Sequence, residues 1–461
     1  PRTAGAARAP FRRRSRGSRR PRVSRSCLDA WIPAAPRASR GRGIQELQGQ
    51  RRLEGQINWI CPWIPVGGSA RGPRMPEAAA GSLEASLGVA PWLTGLVLLV
   101  LVAFVLAPIG WVFSPVLLEL VNATAEVQAE ALPYLRTMFV FSFGMLLFFM
   151  FSGALRSAGD AQTPMRLGIA MTLLNIGLNV ILIRGLGPIP AFGTLGAAMG
   201  TVIAGAVVSV YALVNLFGGR WVVAFHRNME WKPDWNIIRE LFRFGLPTGI
   251  QGVAMNVGGV LLLAFIGSLA ASAQAQAAYV VSYTQLFSFI TWTSVGIMGA
   301  TAAVAGQNLG AGKPGRTAKS VNVAAGFGLA LAAVIGLTFL IIPDDLLGIF
   351  GMNDPVVQGL AAELLRYLAV SGLFITVALA YTGGLQGTGD TKTPMYISIV
   401  SQIIIPLGMC WAIQTFSTLE PHHIWMAIVL GHFTRMLLSI LAFRRGHWRE
   451  IRVDIGGAES A

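Results

Sequence analysis

The sequence predicts an all-α, polytopic membrane protein built from two related helix bundles. Three observations predict it. First, 54% of the 461 residues are hydrophobic and only 12% are charged, about half the charged share of a soluble domain. Too little polar surface is left to cover a water-exposed body of this size. Second, from residue 91 onward apolar stretches of about 20 residues follow one another, each able to cross a hydrocarbon core of about 30 Å. Third, Gly153–Met165, GALRSAGDAQTPM, recurs 230 positions later as Gly383–Met395, GGLQGTGDTKTPM.

Residues 1–80 stand apart. They carry 17 arginines and no lysine, against Asp29, Glu46, Glu54 and Glu77, and so supply +13 of the net +15. They have no apolar period and no signal-peptide core. The segment reads as basic and low in complexity, disordered or non-native, the product of truncation or of a shifted reading frame. A basic arm for nucleic acid or anionic lipid is the lesser reading.

Residues 81–220 read as the first bundle, with spans at 92–113, 134–155, 164–184 and 194–217. Residues 221–239 form a linker. The second bundle, 240–445, has spans at 240–267, 275–307, 318–342, 360–386, 394–415 and 423–443, followed by a tail at 446–461. Lipid admits only helices or closed barrels, and unbroken apolar runs select helices. The loops after the second, fourth, sixth and eighth spans collect Arg156 and Arg166; Arg220, Arg227, Lys232 and Arg239; Lys313, Arg316 and Lys319; and Lys392. The tail adds Arg444, Arg445 and Arg449, whereas the alternate loops are acidic or uncharged apart from Arg184. This asymmetry puts both termini in the cytoplasm of a multi-pass protein of the cell membrane.

The repeated loop reads as a tight inner-face hairpin with a structural role. Gly159 and Gly389 suit the left-handed turn that ends a helix. Thr163 and Thr393 suit an N-cap, with Pro164 and Pro394 at the first helical position. Asp160 and Asp390 then meet the positive end of the helix dipole. The repeat also makes a prediction. The first two spans of the second bundle, moved back 230 positions, fall within about residues 10–80, where there is no apolar run. The first bundle therefore shows about four spans against six, and a complete parent would hold twelve in two lobes.

With GDxxTPM in both halves, LLNIGLNVILIRG (Leu173–Gly185), GTLGAAMGTVIA (Gly193–Ala204), RFGLPTGIQ (Arg243–Gln251) and GQNLGAGKPGRTAKS (Gly306–Ser320), the chain resembles the multidrug and toxic compound extrusion (MATE) family over about residues 78–450. The resemblance implies two six-helix lobes around a cavity that opens alternately to either side. It implies a non-enzymatic antiporter exporting drug-like or toxic, often cationic, organic compounds in exchange for Na+ or H+. No cofactor beyond the coupling ion and no nucleic-acid partner is expected, and a monomer in the bilayer is. The alternatives are a lipid-linked oligosaccharide or lipid flippase of the same superfamily, or a non-functional truncated paralogue. An integral membrane enzyme would need clustered His, Asp, Glu or Cys at one face, and the acids here are scattered.

Asn175 and Asn179 are four residues apart on one helix face, and Thr201 enters the next span from the opposite side at similar depth. On residues alone they are interhelical glue or a polar site. The resemblance makes them a cation or proton pocket of the first bundle. It also implies an acid about eight residues after Pro247, where this chain has Met255 and then Asn256. Gln251, Met255, Asn256, Tyr283, Gln285 and Thr291 are the expected substrate-cavity residues, with Tyr279, Phe289 and Trp292 adding aromatic faces for organic cations. Arg435, mid-span, must snorkel or pair within the bundle. His422 and His423 are weak metal candidates, and Cys27, Cys61 and Cys410 fit no disulfide or metal spacing.

Overall fold

The structure, a computed structural model, describes residues 91–120, 125–221 and 235–451. Along them run α1 (Pro91–Leu120), α2 (Ala125–Val140), α3 (Phe143–Ser157), α4 (Gln162–Arg184), α5 (Gly193–Phe217) and α6 (Trp235–Gly267). Then come α7 (Ser272–Gly310), α8 (Pro314–Ile341), α9 (Pro343–Ile349), α10 (Pro355–Gly387), α11 (Lys392–Phe416) and α12 (Pro421–Arg445). Nine of these are long and apolar enough to cross a membrane, and α2 with α3 makes a tenth span bent by 49°. The expected division into four and six spans therefore holds among the described residues. The expectation that two helices of the first bundle are missing concerns residues that lie outside them.

Most helices begin two to five residues before the apolar run that announces them, because polar caps and prolines form the first turn. Pro314, Pro355 and Pro421 sit in the first turn of α8, α10 and α12, where a missing N–H breaks no helical bond. Asp354 caps α10, its Oδ1 accepting from the N–H of Val356 at 2.8 Å. Likewise α6 already starts at Trp235, inside the stretch expected as linker. The tail opens with a 3-10 turn whose Trp448 is buried on Phe443 and donates from Nε1 to its carbonyl at 2.8 Å.

The repeated hairpin has the same geometry twice. Gly159 (φ 88°) and Gly389 (φ 92°) are left-handed. Asp160 N–H donates back to Leu155 C=O at 2.9 Å and Asp390 N–H to Leu385 C=O at 2.9 Å, closing a Schellman turn in each copy. One expectation is corrected: the threonines are not the caps. Asp160 Oδ1 accepts from the N–H groups of Gln162 and Thr163 at 3.1 and 3.0 Å, and Asp390 Oδ1 accepts from Thr393 N–H at 3.0 Å. The helix thus starts two residues earlier, at Gln162 and Lys392, and Pro164 and Pro394 are its third residue. The aspartate carboxylate, one bond longer than a threonine hydroxyl, reaches forward over the turn to these N–H groups, while Thr163 and Thr393 lie already in the helix.

Shifting α10 back by 230 positions lands on Ala125–Ser157, the span of α2 and α3. Yet α10 is continuous and its counterpart is bent. In the first copy Gly144 brings the backbone of α3 against Gly205 and Ala206 of α5, so close that a Cβ would lie 2.8 Å from the Ala206 nitrogen. Ser209 Oγ donates to the Gly144 carbonyl at 2.5 Å. The matching position in α10 is Phe374, whose ring excludes that approach.

The second bundle is centred on α10, which packs against α7, α8 and α12. Gly383 and Gly387 lie on the backbone of α7, where a Cβ would come within 2.3 Å of Met298 O and 2.1 Å of Ala302 O. Small residues spaced by four are how membrane helices bring their backbones together. Two spans are interrupted by π-helical segments, Val280–Leu286 in α7 and Val400–Ile404 in α11. The second has a local cause: Pro406 cannot donate to Gln402 and crowds its carbonyl. Gly258 of α6 and Gly431 of α12 close on this segment, each with room for no Cβ beside the carbonyls of Gln402 and Ser401.

Candidate functional site

In the first bundle α4 and α5 pack side by side and bring the three expected polar residues together. Asn175 Nδ2 donates to Thr201 Oγ1 at 3.1 Å, Asn179 Nδ2 donates to Asn175 Oδ1 at 3.3 Å, and Thr201 Oγ1 donates to Ala197 C=O at 3.0 Å. The chain of bonds leaves one group over. Asn179 Oδ1 is buried without a partner, pressed over Gly200, where a Cβ would stand 2.2 Å from it. Gly200 is the residue that sequence reasoning passed over; it makes room for the amide. The triad is neutral and rich in oxygen, with no group that titrates near neutral pH.

In the second bundle the six expected cavity residues divide. Met255 and Tyr283 lie near Arg435: Arg435 Nη1 donates to Met255 Sδ at 3.5 Å, and Tyr283 stands in the column of rings that ends on His432, one turn before Arg435. Gln251 is buried and accepts from Gln386 Nε2 at 2.8 Å. The other three do not join them. Asn256 Nδ2 and Thr291 Oγ1 bond back to carbonyls of their own helix at 2.9 and 3.2 Å, and Gln285 is exposed.

Arg435 neither snorkels nor meets an acid. It is fully buried, with Nε and Nη2 unpartnered, and no carboxylate among the described residues pairs with it. A column of rings stands beside it. Tyr279 stacks on Tyr283 at 4.9 Å, Tyr283 on Phe287 at 5.4 Å and Phe287 on His432 at 5.8 Å, with Trp425 at 6.4 Å from Tyr279. His432 Nδ1 is hydrogen-bonded to Ser371 Oγ. Trp425, Ile428, His432, Arg435 and Ser439 are all buried, and their alternating spacing of three and four is the mark of one helix face. That signal stood in the sequence unused.

His422 and His423 lie at the start of α12. His422 Nδ1 is 3.2 Å from Glu420 Oε2, and Glu420 N–H donates to His423 Nδ1 at 3.1 Å, so His423 serves a capping box. Among the described residues no group of three or more His, Cys, Asp or Glu is placed to hold a metal. The two bundles meet through α1 and α6 and through α3 and α7; at the second contact Gln307 Nε2 donates to Ser157 C=O at 2.9 Å.

Comparison with known proteins agrees with this architecture. The sequence profile of the MatE family matches residues 92–181 and 247–412. A probable multidrug resistance protein NorM of Thermotoga maritima is 26% identical over 333 residues, 71% of this chain and 70% of that protein. One of the same name from Deinococcus radiodurans is 29% identical over 378 residues, 78% of each. Among solved structures, an outward-facing multidrug resistance MATE family transporter of the MOP superfamily aligns with a TM-score of 0.67 at 20% identity, covering 88% of this chain and 94% of that one. An inward-facing one aligns at 0.62 and 21%, covering 86% of each. With the family profile matched over more than half of its residues and ten candidate spans among those described, the chain is a multi-pass membrane protein belonging to the MatE family of transporters.

Proposed function

We propose that the protein is a secondary active exporter of drug-like organic compounds, working by alternating access and driven by Na+ or H+. The observation that carries this reading is the triad of Asn175, Asn179 and Thr201, with one amide oxygen buried and unspent. A polar group in a span is costly unless it serves a partner, and an oxygen-lined niche suits a hard cation. The triad alone offers oxygens to Na+ and no base to H+. The names of the relatives support multidrug export. The alternation of basic and acidic loops supports an inner, cytoplasmic side at the two repeated hairpins and at both termini. The flippase reading would call for several buried cations, and Arg435 is the one cationic side chain buried among the described residues. Cationic substrates, implied by the resemblance, find no deep carboxylate in the second bundle.

The test is dye efflux from vesicles holding the full chain. Efflux should follow an imposed Na+ or pH gradient, and Asn179→Ala should weaken the dependence on Na+ about tenfold or more, the worth of one to two kcal/mol of lost coordination. Efflux indifferent to both gradients would sink the exchanger.

A further inference from the structure

Arg435 sits midway along α12, and none of its surface reaches solvent. Its three nitrogens are not equivalent. Nη1 is spent on the Met255 sulfur, while Nε and Nη2 have no partner. Those two form one edge of the guanidinium, a flat two-pronged fork whose spacing matches the oxygens of a carboxylate. Buried charges are ordinarily paired, and this one has only a sulfur, a weak acceptor.

Its surroundings are shaped for more than packing. The π-segment Val280–Leu286 delivers Tyr283, and the π-segment Val400–Ile404 packs against α12 one turn before Arg435, at Gly431. Two interruptions of regular helix thus flank one side chain, and such interruptions gather at functional sites. Met255, the one side chain hydrogen-bonded to Arg435, is only half-buried, so the group that touches the guanidinium also reaches the exterior. A methionine has three rotatable bonds and moves aside at little cost. Beside the fork the stacked Tyr279, Tyr283 and Phe287 offer a flat apolar wall.

We propose that Arg435 is an anion-accepting residue of the second bundle, whose Nε/Nη2 edge takes the carboxylate of an aromatic organic anion once Met255 swings away. This rests on the exporter reading and names a chemical class for what the second bundle receives.

The full chain is placed in phosphatidylcholine nanodiscs, which hold no net-anionic lipid to compete, and titrated without any ion gradient. The probes are 2-naphthoate and its neutral isostere 2-naphthamide. Naphthoate should bind about tenfold or more tightly than the amide, since two charge-assisted bonds replace neutral ones. Arg435→Met should lower naphthoate to the level of the amide and leave the amide unchanged. Met255→Ala, which removes the door and keeps the fork, should strengthen naphthoate binding, and it decides the matter if the arginine variant does not fold. Equal binding of the two probes, a preference that survives Arg435→Met, or a weakened preference in Met255→Ala would each overturn the proposal. Export in vesicles is a separate readout. If export fails while the naphthoate preference stands, the exporter reading falls and the site remains.

Discussion

Asp160 and Asp390 show how far single residues could be read in advance. Glycine, aspartate, threonine and proline in this order announce the end of one helix and the start of another. Which oxygen caps the second helix depends on where its first turn closes, and both aspartate and threonine carry an oxygen that would do. The geometry chose aspartate. Asp160→Ala and Asp390→Ala should therefore each cost about 1 kcal/mol of stability, seen as earlier thermal unfolding of the purified chain. Thr393→Ala should cost less, because Thr393 contributes its backbone N–H to the cap. A larger loss for the threonine variant would return the cap to Thr393. The Asn175–Asn179 pair was readable because both lie on one helix. The Arg435–Met255 contact was not, since it joins residues 180 positions apart.

Among the elements, the repeat predicts equivalence where the structure shows a difference. Gly383 lies on the backbone of α7, whereas its counterpart Gly153 has no atom within 4 Å of a would-be Cβ among the described residues. Gly383→Ala should force α7 and α10 apart and cost about 1–3 kcal/mol. Gly153→Ala should be neutral or gain up to about 1 kcal/mol through helix propensity. Chemical unfolding of the two variants side by side checks this, and equal losses would mean that Gly153 is as tightly packed as its counterpart. The bend between α2 and α3 follows the same logic: Gly144 permits a close approach to α5 that Phe374 forbids in the second copy. The sequence displayed both residues but not the neighbour that makes them matter.

Across the whole molecule, one of the two contacts between the bundles lies beside the first repeated hairpin, where Gln307 holds the Ser157 carbonyl. One neutral hydrogen bond is worth about 0.5–1.5 kcal/mol, enough to shift a two-state balance up to about tenfold. Gln307→Leu should enrich the state in which this side is parted. Spin labels on cysteines replacing the exposed Arg166 and Arg316 would report it as growth of a longer-distance population. An unchanged distribution would show that the bond does not bias the transporter.

Composition, apolar run length and the 230-residue repeat were enough to establish helices, membrane, number of spans and duplicated plan, because each depends on local hydrophobicity and on turn chemistry carried within a few residues. The tertiary structure alone decided which polar side chains meet and which are left over. It spent Gln251 on Gln386, left one oxygen of Asn179 without a donor, and stranded two nitrogens of Arg435 in a column of rings. Those outcomes are set by contacts between helices far apart in the chain, and hydrogen-bond supply in a water-free interior is settled only when every neighbour is in place.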